Sequence, residues 1–186
     1  MRIEKYKAAG KTLKMRLAHH PRRDISTLPR EHARYDKVPY ICQFFPQVKD
    51  VLDLGTGRGI FVDECVQAGL NAIGVDLREE IYQADKSRLV IADARQLPFK
   101  DESFDLVFAW YIFSDMTCLQ ELPWSEVEKA IDEAYRVLKK GGIFLTTSYV
   151  SPFTLEERFE TIAARSTYKK RPAPIQIENP WWAGVR

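Results

Sequence analysis

One stretch constrains the rest of the chain: Val51-Leu52-Asp53-Leu54-Gly55-Thr56-Gly57-Arg58-Gly59. Val51 to Leu54 predict a short buried strand that follows polar Lys49-Asp50. The three alternating glycines predict a tight turn in which a ligand comes close to bare backbone. Ile60, Phe61, Val62 and Cys65 then open a helical pattern that runs to Gly69. A strand, a glycine-rich turn and a helix make the first half of a nucleotide-binding βαβ unit.

The spacing narrows the ligand. A dinucleotide fingerprint reads G-x-G-x-x-G, and here the third glycine comes one residue early. A phosphate-binding P-loop ends in Gly-Lys-Ser/Thr, which Arg58-Gly59-Ile60 does not supply. Asp53 stands two positions before the first glycine. A carboxylate there suits a cationic ligand better than a pyrophosphate. The stretch resembles motif I of the class I S-adenosylmethionine-dependent methyltransferases, whose cofactor carries a sulfonium and an ammonium.

Further segments fall in the order of that family. Ala72-Ile73-Gly74-Val75-Asp76 is a second apolar strand ending in a carboxylate, placed to accept from ribose hydroxyls. Leu89-Val90-Ile91-Ala92-Asp93-Ala94 is a third, followed by Leu97-Pro98-Phe99. In the family this acid faces the adenine amino group. Phe104 to Ala109 form a fourth strand. Ala134 to Gly142 read as a helix end with a glycine stop, ahead of a fifth strand from Ile143 to Thr147. The resemblance covers roughly residues 50 to 148. It implies a cofactor site at Asp53, Gly55, Thr56, Gly57, Gly59, Asp76, Leu77, Asp93, Ala94 and Trp110.

The expected fold is α/β: a Rossmann-like, doubly wound, mostly parallel sheet of the class I methyltransferase type. Two parts are expected, a helical N-terminal extension or cap over residues 1–46 and the cofactor-binding domain over 47–186. Near helical spacing, Ile3, Tyr6, Leu13 and Leu17 predict an amphipathic helix. A second helical region spans Arg30 to Phe45, bent near Pro39. A single short helix is expected around Arg78 to Asp85. Val127, Ala130, Ile131, Ala134, Val137 and Leu138 form the sheet-facing stripe of a helix opened by Pro123 or capped by Ser125.

Beyond Ser148 the chain departs from the family. A full sheet of this type adds an antiparallel hairpin after the fifth strand. Thr154 to Ala164 read instead as a helix, with Leu155, Phe159 and Ile162 on its apolar side. Ser166 to Pro174 are basic and broken by proline, and Ile175-Gln176-Ile177 could form one short strand. The expectation is a sheet truncated after strand five, with five or six strands and at most one edge strand. Its open edge must be covered by that strand or by a second subunit, as a homodimer.

Charge and cysteine usage bear on partners and compartment. Residues 1 to 40 hold eleven Lys/Arg against four Asp/Glu, and the remainder seventeen against twenty-two. A basic arm on a mildly acidic core points to an anionic partner. Cys42, Cys65 and Cys118 contain no C-x-x-C pair, which predicts a reducing compartment, the cytoplasm. No apolar run approaches the roughly 18 residues that a membrane span needs. His19 and His20 are adjacent and His32 stands apart, so no metal is expected.

The chemistry expected is methyl transfer by in-line displacement, in which the protein mainly aligns the acceptor. A base is needed only where the acceptor must lose a proton. The histidine that several small-molecule O-methyltransferases place after strand four or five is missing here. So are the Asp/Asn-Pro-Pro-aromatic motif of amino methyltransferases and the Pro-Cys of pyrimidine C5 enzymes. Tyr111, Asp115 and Tyr149 are the polar candidates for a catalytic role. Trp110, Tyr111, Ile112, Phe113 and Met116 predict either a helix covering the sheet or the wall of an acceptor pocket. The stretch from Asp93 to Trp110 is most similar to small-molecule methyltransferases of the ubiquinone-biosynthesis type. The expected acceptor is therefore a small molecule, with an anionic one suggested by the basic arm. Two alternatives stay open: an RNA or protein methyltransferase that docks through the basic arm, and a non-catalytic binder of the cofactor.

Overall fold

The computed structural model describes residues 37–146, 158–163 and 167–170. Outside them lie most of the N-terminal extension with its three histidines, the catalytic candidate Tyr149 and the expected edge strand Ile175 to Ile177.

The elements follow in the order α1 (Lys37–Phe44), β1 (Asp50–Leu54), α2 (Ile60–Gln67), β2 (Asn71–Asp76), β3 (Leu89–Ile91), β4 (Phe104–Ala109), α3 (Ile112–Ser114), α4 (Trp124–Val137), β5 (Leu138–Thr146), β6 (Phe159–Ala163) and β7 (Thr167–Lys170). They build one seven-stranded sheet in the order β3-β2-β1-β4-β5-β7-β6. The first five strands are parallel, with Leu52 beside Ile73 on one side and Val107 on the other. β7 runs antiparallel between β5 and β6.

Strand alternation divides the core into two layers, because successive side chains point to opposite faces. Val51, Leu106, Phe108, Ile143 and Leu145 pack with Val38 and Ile41 of α1 and with Phe61, Val62 and Cys65 of α2. Leu52, Leu54, Val107, Ala109 and Phe144 pack with Val127, Ala130, Ile131, Ala134 and Val137 of α4. Both faces of the sheet are covered, so its strands read as continuous apolar runs. Burying each Val or Ile of the α4 stripe contributes on the order of 1.5–3 kcal/mol. Pro123 lies just ahead of α4, and Ser125 falls inside the helix instead of capping it.

Several expectations are corrected. Residues 77–88 form two 3-10 turns, Glu79–Ile81 and Lys86–Arg88, in place of one short helix. Between them Tyr82 is extended and buried, and Asp85 turns its carboxylate onto the Ser87 N–H and hydroxyl. That local bonding competes with helix formation. The helix before β5 ends at Val137, and the Gly141-Gly142 pair lies within the strand. β5 is bulged there: Phe104 pairs with Leu138 and Leu106 with Ile143. Gly141 takes φ 70, and a β-carbon on Gly142 would lie 2.9 Å from the Lys139 carbonyl oxygen. The glycines shape a bulge, not a helix stop.

The C-terminal expectation also changes. The parallel run stops at β5 as expected, and beyond it the sheet continues through two antiparallel strands where at most one edge strand was expected. The span read as a helix, Thr154 to Ala164, contains β6. Phe159 is fully buried, stacked on Phe144 at 4.8 Å and edge-on to Tyr135 at 5.7 Å. Lys170 donates to the Leu138 carbonyl oxygen at 2.7 Å and lies over the Tyr135 ring. Pairing with β7 and packing on Phe144 override the local helical spacing. Thr167 to Tyr168 and Lys169 cover the β5 edge, the role expected of Ile175 to Ile177.

At the amino ends of the strands, Asp105 accepts from the main-chain N–H groups of Lys49 and Asp50, at 3.0 and 2.8 Å. Lys139 bridges Asp50 and Asp105, at 3.0 and 2.8 Å. The ammonium joins the bulge of β5 to β1 and β4. Lys139→Met should leave two neighbouring carboxylates without their cation. Because Lys139 is partly solvated, the expected loss is about 1 kcal/mol, or a melting temperature lower by about 2–4 °C. Calorimetric melting at low and high salt checks this, and the deficit should shrink as salt rises.

Candidate functional site

The site lies where the chain, having gone from β1 to β2 on one side, turns back to β4 on the other. In an open α/β sheet, ligands bind at such a switch point, outside the carboxyl ends of the strands. The glycine turn caps β1 there. Gly55, Gly57 and Gly59 have φ of 74, 54 and 77, a region that other residues enter at a cost. Gly55 faces Ile112 from the start of α3, and a β-carbon at Gly59 would run into the Tyr82 ring.

The donors of this turn point inward. The Gly55 and Thr56 N–H groups both donate to the Val75 carbonyl oxygen, at 2.8 and 2.9 Å. The Gly57 N–H donates to Asp76 Oδ2 at 2.9 Å, and the Gly59 N–H to the Thr56 carbonyl oxygen at 3.0 Å. A phosphate cradle needs such groups aimed at the ligand. Here three of them hold the turn against β2 and the fourth closes the turn on itself, so the geometry does not suit a pyrophosphate.

Three acids surround the turn. Asp53 is buried at 4% exposure and accepts the Thr56 hydroxyl at 2.7 Å. Burial pushes its carboxyl up to about 7, and the Asp76 charge adds to this. The Thr56 bond and the positive charge of Lys37 act the other way. Asp76 accepts from Gly57 on one oxygen, and from the Arg78 N–H at 2.9 Å and side chain at 3.4 Å on the other. An ionised carboxylate has about four acceptor positions, so Asp76 keeps room for a further donor. Asp93, also 4% exposed, is held more fully. Its Oδ1 accepts from the main chain and Nε of Arg95, and its Oδ2 from Nε and Nη2. Arg95 reaches on to Glu126 of α4 at 2.5 Å.

Aromatic residues form the far wall. Phe61, Phe108 and Trp110 stack in series, with centroids 4.0 and 5.5 Å apart. Lys37, the first residue of α1, sets its ammonium 4.2 Å from the Trp110 centroid and 4.9 Å from that of Phe108. Tyr111 is 48% exposed and takes φ 61, a left-handed conformation unusual for an aromatic residue. Its carbonyl oxygen accepts from the Asp115 N–H and the Ser114 hydroxyl, which fixes the turn into α3. Phe113 and Met116 are buried in the core, so the covering reading holds for them, while Tyr111 faces solvent.

The structure thus joins Asp53 to Thr56 and Gly57 to Asp76 through direct hydrogen bonds. Leu77 follows Asp76 half-buried, Ala94 is buried beside Asp93, and Trp110 ends the aromatic stack. Asp115 lies half-buried in the turn after α3. Sequence reasoning missed Lys37, Tyr82, Arg78 and Arg95. The arginines had a signal, since Asp76-Leu77-Arg78 and Asp93-Ala94-Arg95 repeat one Asp-x-Arg spacing. Tyr82 and Lys37 had none. The Tyr82 hydroxyl is buried with no hydrogen-bond partner among the described residues. Burial pushes that phenol up, and Asp53 and Asp63 add to the shift.

A glycine turn of this geometry, acids at the ends of β1 and β2, and this strand order define the class I S-adenosylmethionine-dependent methyltransferases. Comparison with known proteins agrees. The methyltransferase domain family matches residues 52–146, and the chain belongs to that family. It is 31% identical over 116 residues to malonyl-[acyl-carrier protein] O-methyltransferase 1 of Coxiella burnetii, covering 61% of this chain and 38% of that one. It is 30% identical over 110 residues to demethylmenaquinone methyltransferase of Clavibacter sepedonicus, covering 55% and 42%. The chain thus spans about two fifths of the length of these curated relatives. In fold it is similar to the PH0226 protein of Pyrococcus horikoshii, with a TM-score of 0.54, 24% identity, and 66% and 59% of the two chains covered. S-adenosylmethionine is the cofactor of this class.

The raised Asp53 value has a defined sign. The folded state holds this proton more tightly than the unfolded state does. Stability should therefore fall as pH rises from about 4 towards 7, and stay level above that. At about 1.4 kcal/mol per unit, the loss is a few kcal/mol at most. Urea unfolding across this range should show a fall in the wild-type chain that Asp53→Asn removes.

Proposed function

We propose that the chain transfers the methyl group of S-adenosylmethionine to a small-molecule acceptor. The observation that carries the cofactor half is the glycine turn, whose inward donors and buried acid leave a site suited to a cationic adenosyl ligand. The residues present fit that ligand. Asp76 retains acceptor capacity for the ribose. Asp53 would hold the positively charged methionyl end. Leu77 and Ala94 would flank the nucleoside, and Trp110 would border the sulfur. Asp93 stands at the adenine position, but its carboxylate can take the amino group only if Arg95 releases an oxygen.

When bound, the cofactor would supply an electrophilic methyl group, whose carbon would take the acceptor's lone pair in line as its bond to sulfur breaks and the demethylated thioether leaves. The chain's own residues bind, orient and exclude water. No general base is assigned, and alignment is the main contribution. Ile112 closes on Gly55, while Tyr111, held in its strained turn, borders the acceptor side with Asp115 behind it. Residues 1–46 act as a cap on that side and 47–186 as the cofactor domain. Within the cap, α1 is anchored by Val38 and Ile41 in the core. The charge excess of the first forty residues favours an anionic acceptor.

Asp76→Ala is the direct test. Losing a charged acceptor costs about 1.5–3 kcal/mol, so cofactor affinity should drop roughly ten- to hundred-fold. Titration calorimetry measures it, and unchanged affinity in a folded variant would remove Asp76 from the site. NAD bound as tightly as S-adenosylmethionine would overturn the cofactor assignment. Turnover is tested with a panel of anionic and neutral small acceptors, using release of the demethylated cofactor as the readout. Deleting residues 1–36 should abolish turnover while leaving cofactor affinity within a few-fold.

A further inference from the structure

β4 ends at Ala109, and the chain turns at once to enter α3 at Ile112. Two side chains fix where it arrives. Ile112 lies against Gly55, where an added β-carbon would come within 3.0 Å of it, and Phe113 is buried in the core. The change of direction falls on Tyr111, which takes φ 61. Glycine adopts that left-handed conformation without strain, and a residue with a β-carbon pays for it in stability. The Tyr111 carbonyl oxygen accepts from the Asp115 N–H at 2.9 Å and the Ser114 hydroxyl at 2.8 Å. These bonds lock the main chain of Tyr111 and do not use its ring.

We infer that Tyr111 determines acceptor specificity: its ring packs against a flat, uncharged, unsaturated ring of the methyl acceptor, and the strained turn persists because it aims that ring. The inference rests on the acceptor side proposed above.

Three observations converge on it. First, the strain serves no burial at Tyr111 itself. Phe113 and Met116 of the same segment are buried, while the Tyr111 ring is left exposed. Among the described residues, the other non-glycine residues with positive φ are Glu102 and Glu121, both exposed glutamates. Tyr111 is the aromatic one of the three, and strained conformations that persist cluster at ligand sites. Second, its place is at the carboxyl end of β4, the strand beside β1, and the next residue touches the glycine turn. The ring stands edge-on to Trp110, with centroids 5.7 Å apart and 79° between the planes. Two rings at nearly a right angle offer a face and an edge, the two ways in which an aromatic partner packs best. Third, the charge of this wall selects against anions. From Ala109 to Trp124 the chain has no Lys, Arg or His, and its charged residues are Asp115 and Glu121. A negative group would meet like charge here and no counter-charge. An anionic acceptor would carry its charge away from this wall and present an uncharged ring to Tyr111.

The experiment uses the full chain loaded with S-adenosylhomocysteine, the demethylated cofactor, and two uncharged probes of one skeleton. 2-Naphthol is flat and unsaturated, and decahydro-2-naphthol is its saturated form. Titration calorimetry gives the ratio of their affinities. In Tyr111→Ala and Tyr111→Gly the ratio should fall by about three- to ten-fold, as expected for the loss of one aromatic pair. Tyr111→Phe keeps the ring and should keep most of the ratio. S-adenosylhomocysteine itself should bind all three variants within about two- to three-fold of the wild type, as for a residue outside the cofactor contacts. Thermal melting isolates the backbone: Tyr111→Gly should melt about 2–4 °C above Tyr111→Ala, because both lack the ring and only glycine relieves the strain. An unchanged ratio in the alanine and glycine variants would overturn the inference, and so would a wild-type chain that binds neither probe. A phenylalanine variant that loses as much as the glycine one would replace the ring with the hydroxyl and overturn it too. Equal loss of S-adenosylhomocysteine and probe would mark Tyr111 as structural, and a glycine variant melting no higher than the alanine one would show that no strain is held; either sinks the inference. If the wild-type chain fails to bind S-adenosylhomocysteine, the cofactor reading falls and takes this inference with it, whereas every other adverse result leaves that reading standing.

Discussion

The hydrogen bond from the Gly57 N–H to Asp76 organises this site more than any other contact. It ties the turn after β1 to the end of β2, and the bonds from Gly55 and Thr56 to the Val75 carbonyl oxygen lie beside it. Once those donors face the sheet, the turn has no anion-binding nest to present. What remains is backbone free of side chains, bordered by carboxylates. Gly74 shows how tightly the arrangement is built, since a β-carbon there would come within 2.6 Å of the Thr56 side chain, the one that donates to Asp53. A backbone constraint and an electrostatic preference therefore share one cause.

The electrostatics follow from burial. Asp53 is an acid in a site that resists its ionisation, and its two opposing influences are a hydroxyl and a lysine. A ligand bearing positive charge would shift the balance toward the ionised form, so cofactor binding and proton release are linked at this residue. Asp76 and Asp93 each have an arginine two residues on. The local Asp-x-Arg spacing keeps those two carboxylates ordered as the chain leaves β2 and β3.

Much of the fold was readable from the chain alone, for a physical reason. β1, β2 and β4 are buried on both faces, so their residues form apolar runs that need no partner to be recognised. β6 had no such signature. Phe159 and Ile162 are three residues apart, which suits a helix as well as a strand, and only the β7 partner and the Phe144 ring decide between them. The Gly141-Gly142 pair misled in a similar way, because glycines mark helix stops and bulges alike. In the site, the glycines and acids were legible because their spacing is local. The grip of Arg95 on Asp93, the buried hydroxyl of Tyr82 and the placement of Lys37 over Trp110 depend on side-chain directions that sequence spacing does not encode.

The insertion of β7 between β5 and β6 has a consequence for how the chain comes off the ribosome. All five parallel strands are made before residue 147, and with α4 they hold most of the buried apolar side chains. Through the synthesis of the next twenty or so residues, β5 presents an unpaired edge lined by Ile143, Phe144 and Leu145. Such edges recruit strands from neighbouring chains. The last of the described strands to emerge, β7, enters between β5 and β6, so the interval between residues 146 and 170 is one of exposure to aggregation for the nascent chain.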